Sequence, residues 1–290
     1  MSTSETIHTL VQQHYGTIAN QSAASTPGNE AYFNKVAATF GYSASEIDEL
    51  RGANMGLSCG NPVATSHLRE GEVVVDLGSG AGMDVILAAQ KVGPTGKVIG
   101  IDITEDMIKL STENAEKRGL KNTKFIHSSI ESLPLPSNSV DCVISNCVLN
   151  LIPEVAKRTA LKEIYRILKP GGRTSISDIV AKKELPPSVL EDAAAYVGCV
   201  AGAIHYTTYE SYLREAGFKV ESSTKSGGSL KTACCAPPSK TQENIPSTAQ
   251  TTTLTQSSLT NVVNSLLNYD LNDFLGSYKI YALKPIEDPE

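Results

Sequence analysis

Apolar residues at three- and four-residue spacing run through "TIHTLVQQHYGTIA" (6–19) and "EAYFNKVAATFGY" (30–42). That period places them on one face of a helix. A polar loop, "NQSAASTPGNE", separates the two. From residue 72 the pattern changes. "EVVVDL", "GKVIGIDI", "TKFIHSSI", "VDCVISNCVLNL" and "LKPGGRTSISDIV" are short, nearly continuous apolar runs that predict five strands. Between them lie helical stretches: "MDVILAAQKV", "TEDMIKLSTENAEKRG", which starts on Thr and stops at Gly, and "VAKRTALKEIYRIL". "YESYLREAGF" predicts one more helix, "KVESSTK" a sixth strand and "SYKIYALKP" (277–285) a seventh, antiparallel at the sheet's edge.

Strands that are apolar on both faces and alternate with helices predict a parallel sheet covered on both sides. The expected fold class is α/β, a doubly wound Rossmann-like sheet of seven mostly parallel strands behind an N-terminal helical extension. We divide the chain into a helical cap and loop (1–69), a Rossmann-like domain (70–225), a polar insertion (226–268) and a C-terminal strand completing the sheet (269–290). The insertion is rich in Ser, Thr, Pro, Gly and Gln, a composition that predicts a flexible segment.

Composition narrows the partners. The chain has 290 residues, 40% of them hydrophobic, and a net charge of −6. Without a run of five Lys or Arg it lacks the basic surface that phosphate binding needs, which argues against nucleic acid. No apolar stretch reaches the length of a membrane span, and the polar start lacks the pattern of a signal peptide. The expectation is a cytoplasmic monomer. In that compartment its six cysteines are free thiols, ligands or nucleophiles rather than disulfides.

After the first strand, "VVVDLGSGAG" sets Gly78, Gly80 and Gly82 in a G-x-G-x-G spacing. Glycines there let the backbone turn sharply and approach a ligand. Position 83 is Met, so the spacing departs from the G-x-G-x-x-G of dinucleotide sites. Asp102 ends the second strand, where a carboxylate accepts hydrogen bonds from ribose hydroxyls. The pattern predicts a nucleoside without a pyrophosphate, and S-adenosylmethionine fits better than NAD. With "LKPGG" leading the fifth strand, residues 70–185 resemble class I methyltransferases. The resemblance implies cofactor contacts from Asp76, Gly78, Ser79, Gly80, Gly82, Asp102, Ile103, Met107, Ile130, Glu131 and Asn146. Ile130 and Glu131 would flank the adenine and Met107 would cover its other face. Relatives of this fold often carry Asp where this chain has Ser129.

No acceptor-activating motif is present. His8, His14, His67, His127 and His205 are scattered and read as structural or surface residues. The cysteines say more. Ligands bind open α/β sheets beyond the carboxyl ends of the strands, where strand order reverses. Cys147 sits at such an end, in the fourth strand. Cys142 has the opposite parity and reads as core. Cys199 lies in "AAAYVGCVAGAIHY", a small-residue segment able to cap a site, and Cys59 in the loop "GLSCGNP".

Together "ANMGLSCGNPVA", "DLGSGAGMDVILAA", "SNCVLNL" and "GCVAGAIHY" resemble arsenite methyltransferases over residues 31–222. The resemblance implies that Cys59, Cys147 and Cys199 act as catalytic ligands of trivalent arsenic. It also implies S-adenosylmethionine as methyl donor, arsenite and methylated arsenicals as substrates, and a thiol reductant, glutathione or thioredoxin. Soft thiolates select soft centres, and the lone pair of a three-thiolate arsenic complex can attack an electrophilic methyl group without a general base. Some relatives carry a further cysteine upstream of the loop thiol; here none precedes Cys59. The adjacent Cys234 and Cys235 form a candidate accessory arsenic site. Two readings compete. A methyltransferase of a small organic acceptor, such as a quinone or sterol, would tolerate loss of Cys147. A thiol-based arsenic binder without turnover would bind arsenite but not S-adenosylmethionine.

Overall fold

The computed structural model describes residues 4–23, 30–225 and 270–286. A seven-stranded sheet forms its centre, in the order β3-β2-β1-β4-β5-β7-β6. The strands are β1 (Val73–Leu77), β2 (Lys97–Asp102), β3 (Thr123–His127), β4 (Val140–Asn146), β5 (Leu168–Ala181), β6 (Lys219–Lys225) and β7 (Leu275–Leu283). The first five pair in parallel. β7 is antiparallel to both β5 and β6, so it enters between them and leaves β6 at the outer position.

Both faces are covered, which explains the unbroken apolar runs. Val74 and Val98 pack with Val85, Ile86 and Ala89 of α5 (Met83–Val92) on one face. Val75, Leu77 and Ile101 pack with Leu161 and Ile164 of α7 (Glu154–Ile167) on the other. Each such buried Val, Leu or Ile contributes about 1.5–3 kcal/mol. Cys142 is fully buried in the first of these clusters, as its parity predicts. Burial pushes its thiol up to about 12, so it stays protonated and inert.

Strand order reverses between β2 and β4, on either side of β1. α1 (Ser4–Ala23) lies against α6 (Glu105–Lys117) at that end of the sheet. α2 (Glu30–Thr39), α3 (Ala44–Glu49) and α4 (Pro62–Thr65) precede β1. α8 (Pro187–Leu190), α9 (Ala193–Val197) and α10 (Tyr206–Glu215) follow β5, and α11 (Leu271–Phe274) leads into β7. The run read as a long fourth strand stops at Asn146. Cys147 turns at φ 61° and Leu149–Leu151 form a 3₁₀ turn. Among the described residues no helix is long and apolar enough to cross a membrane. Cys234 and Cys235 lie outside the described residues.

Candidate active site

The glycine loop leaves β1 with the Gly78 and Ser79 N–H groups both donating to the Ile101 carbonyl, at 2.7 and 3.0 Å. Gly78 has φ 67°, and a Cβ there would run into the Val148 side chain. Asp102 closes the loop from the neighbouring strand. Its Oδ2 accepts from Gly80 N–H at 2.9 Å and its Oδ1 from Thr104 N–H at 2.8 Å. Each carboxylate oxygen keeps a lone pair for a ligand hydroxyl. Gly100 gives room behind the loop, since a Cβ there would stand 2.8 Å from Ser79 Oγ.

A cavity opens above this loop. Of the predicted cofactor residues, Asp76, Gly78, Ser79, Gly80, Asp102, Ile103, Met107, Ile130 and Asn146 line it, with Cys147. Two do not. Gly82 lies behind the loop as the N-cap of α5, at φ 89°. Glu131 is turned away to His8, 2.9 Å from its ring Nε2. His8 lines the cavity along with Val11 and Tyr15 of α1. α1 is pinned there by Gln12 Nε2 donating to the Ile103 carbonyl (2.9 Å) and Tyr15 OH to the Val197 carbonyl (3.0 Å).

The cavity wall is acidic. Asp76, Asp84 and Asp102 line it, and no Lys or Arg is among the lining residues. Burial raises all three carboxyl groups above their ordinary range. Asp76 is pushed furthest, by burial and then by the charges of Asp84 and Asp102. Asp84 reaches about 6, because burial outweighs the bonds it accepts from Asn146 and Tyr42. A buried set of carboxylates without a cation favours a positively charged occupant. Asp84 and Tyr42 escaped the sequence reading. Tyr42 OH donates to Asp84 Oδ1 at 2.7 Å across 42 residues of chain, and no local pattern encodes that contact.

The cysteines gather at the β4 end of the cavity. Cys59 and Cys147 meet with their Cα atoms 5.5 Å apart, within disulfide-bonding reach. The fold thus brings two of the predicted ligand cysteines together. Cys199 keeps its thiol, and its Sγ donates to the Cys147 carbonyl at 3.1 Å. All three are buried in one apolar cluster. Among the described residues no three His, Cys, Asp or Glu side chains are already grouped to hold an ion. Cys147 (φ 61°) and Cys199 (φ 62°) both adopt left-handed backbone, which a non-glycine residue holds at a cost of about 1–3 kcal/mol.

Each sulfur has its own support. The Cys59 carbonyl accepts from Ser277 Oγ, and the Cys147 N–H donates to the Ser177 carbonyl at 2.8 Å. Beneath Cys199, Asn150 Nδ2 donates to the Cys199 carbonyl (3.2 Å), the Ile179 carbonyl (2.6 Å) and Asp178 Oδ1 (3.0 Å). Lys157, buried, donates to the Leu149 and Ile152 carbonyls. Asn150 is a residue that the sequence reading passed over. A single Asn inside the apolar run "CVLNL" was the available signal, since a buried amide must find partners.

The methyltransferase-domain family matches residues 68–244, more than half of the chain. The chain belongs to that family. It is 47% identical over 180 residues to an arsenite methyltransferase of Halobacterium salinarum, covering 62% of this chain and 46% of the relative. It is 39% identical over 158 residues to an arsenite methyltransferase of Aquipseudomonas alcaligenes, covering 52% of this chain and 45% of that one. The chain therefore spans less than half the length of these curated relatives. Among solved structures it is similar to an arsenic(III) S-adenosylmethionine methyltransferase from Chlamydomonas reinhardtii. The TM-score is 0.54 at 25% identity, covering 90% of this chain and 74% of that one.

Proposed function

We propose that the chain is an arsenite methyltransferase that transfers methyl groups from S-adenosylmethionine to trivalent arsenic held by Cys59, Cys147 and Cys199. The observation that carries this reading is the meeting of Cys59 and Cys147 at the end of a cavity lined by Asp76, Asp84 and Asp102, with the Cys199 thiol one carbonyl away. The arsenite methyltransferases among its relatives support it.

The donor supplies an electrophilic methyl group on a cationic sulfur. Asp102 suits its ribose, Ile130 and Met107 its adenine, and Asp76 with Asp84 its positive charge. Arsenite, the substrate, exchanges its hydroxyls for thiolates and gives up water. Its lone pair forms the new As–C bond as the S–C bond breaks, and the S–C electrons stay on sulfur. The chain's work is positioning: it brings the three thiols together at the cavity end and keeps water out of an apolar pocket. No side chain has to remove a proton in the transfer itself.

Cys59 and Cys147 bind arsenic only as thiolates, and two sulfurs this close can oxidise to a disulfide, so a thiol reductant is needed to keep them reduced by exchange. We assign that role to glutathione or thioredoxin. We also read the chain as a cytoplasmic monomer, with residues 226–268 inserted between the last two strands of the sheet.

The test is methyl transfer from labelled S-adenosylmethionine to arsenite with reductant present. We expect methylated arsenic from the wild type. Cys59→Ser, Cys147→Ser and Cys199→Ser should each lose at least tenfold in the first methylation. A folded wild type that binds the donor but methylates no arsenic would defeat the reading and move the acceptor to an organic molecule, and full arsenite methylation by Cys147→Ser would remove Cys147 from the ligand set.

A further inference from the structure

One side chain belongs to both the cavity and the Cys59 loop. Asn146, the last residue of β4, lines the cavity, and its Oδ1 accepts from the Cys59 N–H at 3.0 Å. Its Nδ2 lies within hydrogen-bond reach of three acceptors: the Gly60 carbonyl (3.0 Å), Asp84 Oδ2 (3.0 Å) and the Tyr42 hydroxyl (3.1 Å). The Tyr42 proton is committed to Asp84 Oδ1, so the Tyr42 oxygen is an acceptor toward Asn146. A primary amide has only two hydrogens. Three acceptors therefore share two donors, and what strengthens one bond weakens another.

We infer that Asn146 couples the cavity to the arsenic site, tightening the Cys59 loop when a cationic ligand sits against Asp84. The inference rests on the function proposed above. With the cavity empty, the Asp84 carboxylate draws an Asn146 hydrogen, because bonds to a charged acceptor are the stronger ones. A cation beside Asp84 competes for its lone pairs and releases that hydrogen to the Gly60 carbonyl. Asn146 then grips the Cys59–Gly60 unit at both its N–H and its carbonyl. After methyl transfer the donor sulfur is neutral, Asp84 reclaims the hydrogen and the loop relaxes. Cofactor charge is thereby reported to a thiol on a loop that precedes β1, through one amide. Such coupling is reciprocal: arsenic on the thiols must raise the affinity for the cationic ligand by the same factor.

The measurement is arsenite affinity by equilibrium dialysis of the full, reduced chain. It is made alone, with saturating S-adenosylhomocysteine, and with a non-transferring analogue that carries an amine in place of the sulfonium. In the wild type the cationic analogue should raise arsenite affinity about fivefold or more over the neutral product. Asp84→Asn, which removes the charge at constant shape, and Asn146→Ala should each abolish that difference, measured at nucleoside concentrations raised until each variant is saturated. A difference that survives in both variants overturns the inference, as does a wild type that binds arsenite equally with either nucleoside. If one variant fails to fold, the other decides alone. Absence of arsenite binding under every condition would instead reject the arsenic reading, and the coupling with it.

Discussion

Cys147 and Cys199 both combine a left-handed backbone with a place in the apolar cluster that also holds Cys59. Strained non-glycine backbone persists only where surrounding contacts over-determine it, and the supports from Ser177 and Asn150 supply those contacts. The thiols were legible in the sequence because each stood in a distinctive local context. Their supports were not, because Asn150 and Asp178, which meet at 3.0 Å, are 28 residues apart. Gly78 marks another residue-scale limit. It combines φ 67° with a Cβ position occupied by Val148. Gly78→Ala should cost about 2 kcal/mol of stability and weaken S-adenosylhomocysteine binding at least tenfold. Thermal unfolding and calorimetric titration of the same preparation check both, and an unchanged affinity would place the nucleoside away from this loop.

α1 is the element whose role changed most between sequence and structure. Its amphipathic period identified a helix, but not that His8, Val11 and Tyr15 wall the cavity. Its hydrogen bonds run to Glu131, Ile103 and Val197, on three separate segments. Hydrogen bonds of this kind are worth roughly 0.5–1.5 kcal/mol each. The double substitution His8→Ala with Tyr15→Phe should therefore raise the dissociation constant for S-adenosylhomocysteine by about fivefold while leaving the far-ultraviolet circular dichroism unchanged. An unaltered constant would mean that α1 merely lies beside the site. β7 teaches the complementary lesson. Its antiparallel direction was expected, but at the sheet's edge; it lies instead between β5 and β6, on a nine-residue register with β5.

For the molecule as a whole, buried carboxylates set the response to pH. Burial holds Asp76 and Asp102 above their ordinary range, and lifts Asp84 to about 6 and Asp178 to about 7. A carboxyl group with a raised folded-state value binds its proton more tightly folded than unfolded. Its contribution to stability is present at low pH and is lost as pH rises from the unfolded value toward the folded one. The ligand-free, reduced protein should thus lose thermal stability between pH 5 and pH 7. Lys157 acts in the opposite sense higher up: burial lowers it to about 8, so its contribution returns as pH climbs beyond that. Asp178→Asn should flatten the slope between pH 6 and 7. Melting temperatures at half-unit pH steps test this, and a profile that rises through pH 5–7 would refute it.

The sequence by itself determined the alternation of strands and helices, the glycine loop with Asp102, and the three cysteine contexts. Those signals are local: periodicity, spacing and turn chemistry act within one strand–helix–strand unit. The tertiary structure decided which of these elements share a wall. It put Tyr42 and Asp84 on one hydrogen bond, folded α1 over the cavity, turned Glu131 away to His8 and brought Cys59 to Cys147 across 88 residues of chain. Contacts of that separation arise from the packing of whole elements around a twisted sheet, and no pattern along the chain records which faces will meet.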